Sequence, residues 1–136
     1  MANYDATVRT NYFRVTNEKK WKELFNGLCC QDEIQDFTEK IDGITYHGFG
    51  AYGSIDYFDK ETVEHNFDKF LNELQKILPD DEAFIYFESG YEKLRYVTGF
   101  SIVVTKKEIV SENINDWAIK KAKELLGSDY EAKIYC

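Results

Sequence analysis

The segment Glu82–Thr105, EAFIYFESGYEKLRYVTGFSIVVT, decides how the rest of the chain is read. Its first half places Phe84 and Tyr86 on one face of an extended strand and Ile85 and Phe87 on the other. In its second half Leu94, Tyr96, Phe100, Ile102 and Val104 all fall on even positions, so they line one face at period two. Between the halves, Glu88-Ser89-Gly90-Tyr91-Glu92-Lys93 is polar and contains a glycine, which predicts a hairpin loop. The segment therefore reads as a long antiparallel hairpin at the centre of a sheet.

Working outward from it, the upstream neighbour is a helix. Val63, Phe67, Phe70, Leu71, Leu74, Ile77 and Leu78 form an apolar stripe, Asp59–Thr62 supplies capping residues, and Pro79 stands where the helix stops. Downstream, Asn113 or Asn115 caps another helix whose inner side is marked by Ile114, Trp117, Ala118, Lys121, Ala122 and Leu125, with Gly127 at its C-terminal cap. Tyr130, Ala132 and Ile134 then alternate as a short final strand.

Near the start, residues 5–15 alternate as a strand. Thr16 or Asn17 offers an N-cap for a helix whose apolar face is Trp21, Leu24, Phe25 and Leu28. Residues 31–40 read as a short strand, and Asp42-Gly43 is a turn signal that pairs it with the next. The segment GITYHGFGAYGSIDYF, residues 43–58, holds a formal G-x-G-x-x-G at Gly48, Gly50 and Gly53. A dinucleotide loop must open a helix at once, whereas Ser54–Phe58 reads as strand. The glycines are read instead as a bent strand approached closely by a neighbouring backbone or ring. The fold class expected is one α+β domain spanning residues 1–136. It is a mostly antiparallel sheet of about five strands with three helices, in the order β-α-β-β-α-β-β-α. A ferredoxin-like arrangement is compatible with part of that order.

Composition narrows function. With 136 residues, ten Phe and ten Tyr, the chain has the apolar material for one core and is not a disordered acidic segment. A formal net charge of −8 opposes direct contact with a nucleic-acid backbone or an anionic membrane and permits a basic protein partner. Cys29, Cys30 and Cys136 form neither a disulfide framework nor a four-ligand metal pattern. With no leader-like N-terminus and no apolar run long enough to span a bilayer, the expected location is cytoplasmic. Cys29 and Cys30 are read as small packed residues, because the sequence shows no histidine or cation beside them.

For chemistry, His47 and His65 are the two neutral-pH acid–base groups, and neither belongs to a recognisable triad. Metalloprotease, P-loop, nucleophile-elbow and calcium-loop motifs do not occur. We therefore expect no catalytic residue, metal or cofactor. The acidic residues favour recognition instead: residues 59–82 carry eight Asp or Glu against three Lys. A docking surface for a basic partner is assigned to Glu61, Glu64, Asp68, Asp80, Asp81, Glu82, Glu88 and Tyr91. Tyrosine suits such surfaces through its large rigid ring and polar tip. The alternative is a small-ligand or nucleotide site, or a small enzyme, at Tyr46, His47 and Tyr52 in the glycine-rich segment. A homo-oligomer with aromatic strands buried against a copy of itself is the third reading.

Two stretches, NYFRVTNEKKWKELF at 11–25 and LPDDEAFIYFESGYEKLRYVTGFSIVVT at 78–105, resemble small acidic proteins carried by phages, plasmids and conjugative elements of Gram-positive bacteria. The resemblance implies mobile-element cargo. It further implies a non-enzymatic inhibitor of a host-defence nuclease of the restriction or CRISPR type. It carries over no functional residues. The charge of −8 is smaller than a strong DNA mimic of this length would carry.

Overall fold

The computed structural model describes residues 4–94 and 96–131. Within them lie eleven strands and three helices, an α+β fold. The order is β1 (Asp5–Thr10), α1 (Glu18–Gly27), β2 (Leu28–Cys29), β3 (Ile34–Asp36), β4 (Glu39–Ile41), β5 (Ile44–Tyr46), β6 (Phe49–Tyr52) and β7 (Asp56–Asp59). β8 (Glu64–His65), α2 (Phe67–Lys76), β9 (Phe84–Glu92), β10 (Tyr96–Val104), β11 (Ile109–Asn113) and α3 (Ile114–Leu126) follow.

The hairpin β9–β10 does form the middle of a six-stranded sheet, ordered β11-β10-β9-β1-β6-β3. Its tip differs from expectation. Pairing continues through Glu92↔Tyr96, so residues 88–92 belong to β9 and the turn begins at Lys93, with φ 50. Gly90 stays in the ladder opposite both Ala6 and Thr98. Every pair in the sheet is antiparallel, and the run β1-α1-β3-β6-α2-β9 takes the spatial order β9-β1-β6-β3, which is the split β-α-β order of a ferredoxin-like arrangement with the β4–β5 hairpin inserted between β3 and β6. The predicted final strand includes residues 132–136, which lie outside the described residues.

Period two sorts the sheet into two faces. One carries Ala6, Val8, Phe49, Ala51, Phe84, Tyr86, Ile102 and Val104, all buried. The helices α1 and α2 cover this face with Trp21, Leu24, Phe70, Leu71 and Leu74. Their caps are asparagines: the Asn17 side chain accepts from the Lys20 amide, and the Asn66 side chain from the Lys69 amide. The third helix lies apart from the other two. Ile114 Cδ1 lies 3.2 Å from where a side chain on Gly99 would begin, and Gly99 shares its face with Ser89, Thr7 and Ser101. Thus α3 sits on the opposite face, and none of its residues is buried. Its expected inner stripe meets little of its own chain.

The second helix also starts later than its apolar stripe suggests. Asp59 is buried, and its carboxylate accepts from the Glu61 amide and the Thr62 hydroxyl, closing a turn rather than capping a helix. Val63 leaves that turn at φ 56 with 70% of its surface exposed, so it is not part of the core stripe. His65 consequently lies in β8, opposite Phe58 of β7, and not in the first turn of a helix. The first strand likewise stops at Thr10, and Phe13 enters the core through an isolated bridge to His47.

The glycine-rich segment is a bent strand as read. Gly50 lies under the β1 backbone: a Cβ there would meet the Val8 carbonyl oxygen at 2.8 Å and the Phe37 ring at 3.1 Å. Asp42 and Gly43, at φ 52 and 79, form the two-residue turn joining β4 to β5. Two stability measurements check this account. Gly50→Ala is expected to lower the unfolding free energy by about 1–3 kcal/mol, because the obstacle includes backbone. Val63→Gly is expected to raise it by about 1 kcal/mol, because a β-branched residue in the left-handed region is strained.

Candidate functional site

The open face of the sheet is concave. On it β1 contributes Asp5, Thr7 and Arg9, β6 contributes Tyr52, β9 contributes Phe87, Ser89 and Tyr91, and β10 contributes Val97, Gly99 and Ser101. Antiparallel sheets that face water on one side ordinarily do so with polar residues. Here Phe87 is 50%, Tyr91 51%, Val97 61% and Tyr52 68% exposed. Two concavities adjoin at Thr7 and Ser89. The first, about 1100 Å³, is lined by Tyr4, Tyr52, Tyr91, Leu94 and Val97, with Asp5, Asp32 and Lys93 as its charges. The second, about 650 Å³, has small residues Ser89, Gly99 and Ser101 with Phe87, Ile114 and Trp117 around them. At the β3 end, Arg9 lies 4.3 Å above the Phe37 ring and closes the face with a cation–π contact.

Tyr52 and Tyr91, assigned from the sequence to two different sites, meet in the first concavity. Glu88 does not join them. It points through the covered face and is 8% exposed. Its carboxylate accepts from the Tyr86 hydroxyl at 2.7 Å, the Tyr4 hydroxyl at 3.2 Å and the Ser54 hydroxyl at 3.2 Å. Those three donors make its burial tolerable without a cation. Burial first, and then the Glu88 carboxylate, pushes the Tyr86 phenol far above the ordinary tyrosine range, so it remains a proton donor. The Tyr4 phenol is raised for the same reasons in the same order. This is a structural cluster, set just beneath the floor of the open face.

The other acidic residues divide between the two ends of α2. At the C-terminal end, Arg14 holds Asp81 at 3.0 Å and Glu82 at 2.8 Å, leaving Asp80 exposed beside them. At the N-terminal end, Glu61, Glu64 and Asp68 are exposed and form no salt bridge among the described residues. They stand on a turn, a short strand and a helix rather than on one helical face. Glu73, in the middle of α2, is surrounded by Lys20, Lys69 and Lys76. Burial raises its pKa, but the hydrogen bonds from Lys69 and Lys76 outweigh burial and hold it below the usual carboxylate range.

His47 is a packing residue with both ring nitrogens engaged. Nε2 lies 2.7 Å from Glu18 and Nδ1 3.2 Å from the Thr38 hydroxyl, and that hydroxyl also donates to Asp36. The ring lies 5.2 Å from Trp21 and 6.2 Å from Phe13, on the covered side of the sheet. Tyr52 projects from the other face of β6, so Tyr46, His47 and Tyr52 do not line one pocket.

One association was invisible in the sequence. The register β2–β7–β8 brings His65 Nδ1 to 3.6 Å from Cys29 Sγ and 4.0 Å from Asp56. The absence of a local histidine was therefore no guide, since the partner lies 36 residues away. Burial, and then the Asp56 carboxylate, raises the Cys29 thiol, which opposes a reactive thiolate. Cys30 points elsewhere, its Sγ 3.8 Å from the Tyr52 carbonyl. Among the described residues, no group of three or more His, Cys, Asp or Glu is placed to hold a metal ion. No helix of the described residues is long and apolar enough to cross a membrane.

Comparison with protein families, curated proteins and solved structures finds no match.

The Glu88 cluster makes a direct prediction. Glu88→Gln replaces one acceptor oxygen by an NH2 donor, so at least one of the three hydroxyls loses its acceptor. Thermal or urea unfolding should show a loss of about 1–3 kcal/mol.

Proposed function

We propose that this chain is a non-enzymatic protein-binding module, with the Tyr52–Tyr91 concavity as its docking site. The observation that carries the reading is a concavity walled by tyrosines and aliphatic side chains that remain half or more exposed on a rigid antiparallel sheet. Tyrosines of this kind are frequent binding anchors. Asp5 and Asp32 on its rim suit a partner presenting arginines, whose guanidinium groups stack on tyrosine faces and pair with carboxylates. A nucleic-acid-binding protein has such a surface. The resemblance to mobile-element proteins fits a host-defence nuclease as the target and an inhibitor as the role.

A second reading places the contact at Glu61, Glu64 and Asp68, which are exposed and unpaired by salt bridges. One experiment separates the two. The tagged chain is used to capture proteins from a Gram-positive host lysate at low and high salt, alongside Tyr52→Ala, Tyr91→Ala and a triple variant with Glu61→Lys, Glu64→Lys and Asp68→Lys. Retention of a basic protein should fall about tenfold or more with either tyrosine variant. Its loss in the triple variant alone, together with loss at high salt, would move the contact to the start of α2. Capture unaffected by every variant would refute both.

A further inference from the structure

The helix α3 leaves large apolar side chains exposed along its length. Ile114 is 55%, Trp117 53%, Leu125 77% and Leu126 70% exposed. The residues of α3 with least exposure, Asn115, Ile119 and Ala122, lie toward one flank and rest the helix on its own chain. Ile114, Ala118, Lys121 and Leu125 recur at spacings of three and four and share a second flank, which rests on Gly99 at Ile114 and is open from Ala118 onward. Beside them is the apolar groove of about 650 Å³ formed with Phe87, Gly99 and Ser101. One chain thus presents both an unfilled groove at the N-terminal half of α3 and an unplaced leucine, Leu125, on the same flank at its C-terminal half.

A two-fold axis satisfies both at once. We propose that α3 pairs antiparallel with α3 of a second copy, placing Leu125 of each copy over Ile114 and the groove of the other. The stripe is symmetric about its midpoint, so in an antiparallel pair Ile114 opposes Leu125 and Ala118 opposes Lys121, reciprocally, as an isologous contact requires. Ala118 at the crossing lets the helices approach closely, and the Lys121 methylenes cover the remaining gap.

Charge selects the same arrangement. The chain carries −8, which opposes self-association over most of its surface. The helix α3 is the exception, with Lys120, Lys121 and Lys123 against Asp116 and Glu124. Antiparallel packing sets the acidic end, with Glu112 and Asp116, against the lysine end and opposes the two helix dipoles.

Area agrees with a dimer. Aromatic side chains bury about 150–250 Å² each when fully covered. Taking the exposed fractions of Ile114, Trp117, Leu125, Phe87 and Val110 gives on the order of 500 Å² of apolar surface per copy. A stable interface buries about 800 Å² per partner with its polar rim included. This surface adjoins the Tyr52–Tyr91 concavity at Thr7 and Ser89 but contains neither tyrosine, so each site can be altered by its own substitution.

Sedimentation velocity of the full chain from low to high micromolar concentration is the test, read together with tryptophan emission. Trp21 is buried and constant, whereas Trp117 is half exposed and should shift to the blue as dimer forms. Leu125→Glu should weaken association by at least about a hundredfold, since it forces an unpaired charge into the contact. It should also abolish the concentration-dependent blue shift and leave the melting temperature at low concentration unchanged. A chain that is monomeric at every concentration, or a dimer that persists in Leu125→Glu, overturns the proposal. If the chain is monomeric yet Tyr91→Ala still abolishes partner capture, self-association alone is refuted and the Tyr52–Tyr91 site stands.

Discussion

The ring of Phe49 is the point on which the architecture depends. It has no exposed surface. It lies within about 6 Å of Trp21 and Phe25 from α1, Phe70 from α2 and Phe84 from β9. One side chain on a four-residue strand therefore fixes both helices against the central hairpin. Phe13 and Phe84 extend the same set through edge-to-face contacts, 5.1 Å between centroids. The hydrophobic term concentrated here is non-directional, but the alternating ring orientations are not, and they restrict how the helices sit.

That concentration explains the asymmetry of the sheet. Trp21, Phe70 and the leucines of α1 and α2 all cover the face bearing Phe49, which leaves the other face with one lightly seated helix. The aromatic content thus serves two purposes. Phe13, Phe49, Phe70 and Phe84 close the interior, while Tyr52, Tyr91, Phe87 and Trp117 remain at the surface. The acidic residues divide in a similar way. Glu88 is satisfied internally by three hydroxyls and Asp81 and Glu82 by Arg14, whereas Glu61, Glu64 and Asp68 form no salt bridge among the described residues. Net charge counted along the sequence overstates the acidity that a partner meets at any one place.

Much of the fold was legible because it rests on local periodicity. The hairpin from Phe84 to Val104 follows from period two, the α1 face from Trp21, Leu24 and Leu28, and the β4–β5 turn from Asp42-Gly43. The errors arose where a side chain redirected the backbone. Asp59 captured the Glu61 amide and the Thr62 hydroxyl, so an apparent helix start became a turn and a strand. Glu88 looked like a loop residue because it is charged, yet hydroxyls separated from it by as many as 84 positions make its burial stable.

The sequence by itself determined the α+β class, the central hairpin, and the apolar faces of α1 and α2. These depend on residue spacing and backbone geometry within a few positions. Tertiary structure alone decided that Tyr52 and Tyr91 meet, that His65 stands beside Cys29, that Glu88 is interior, and that α3 lies across the open face. Each of these depends on strand register and on which face of the sheet the first two helices cover. Those are set by the packing of side chains distant in sequence, and no local pattern encodes them.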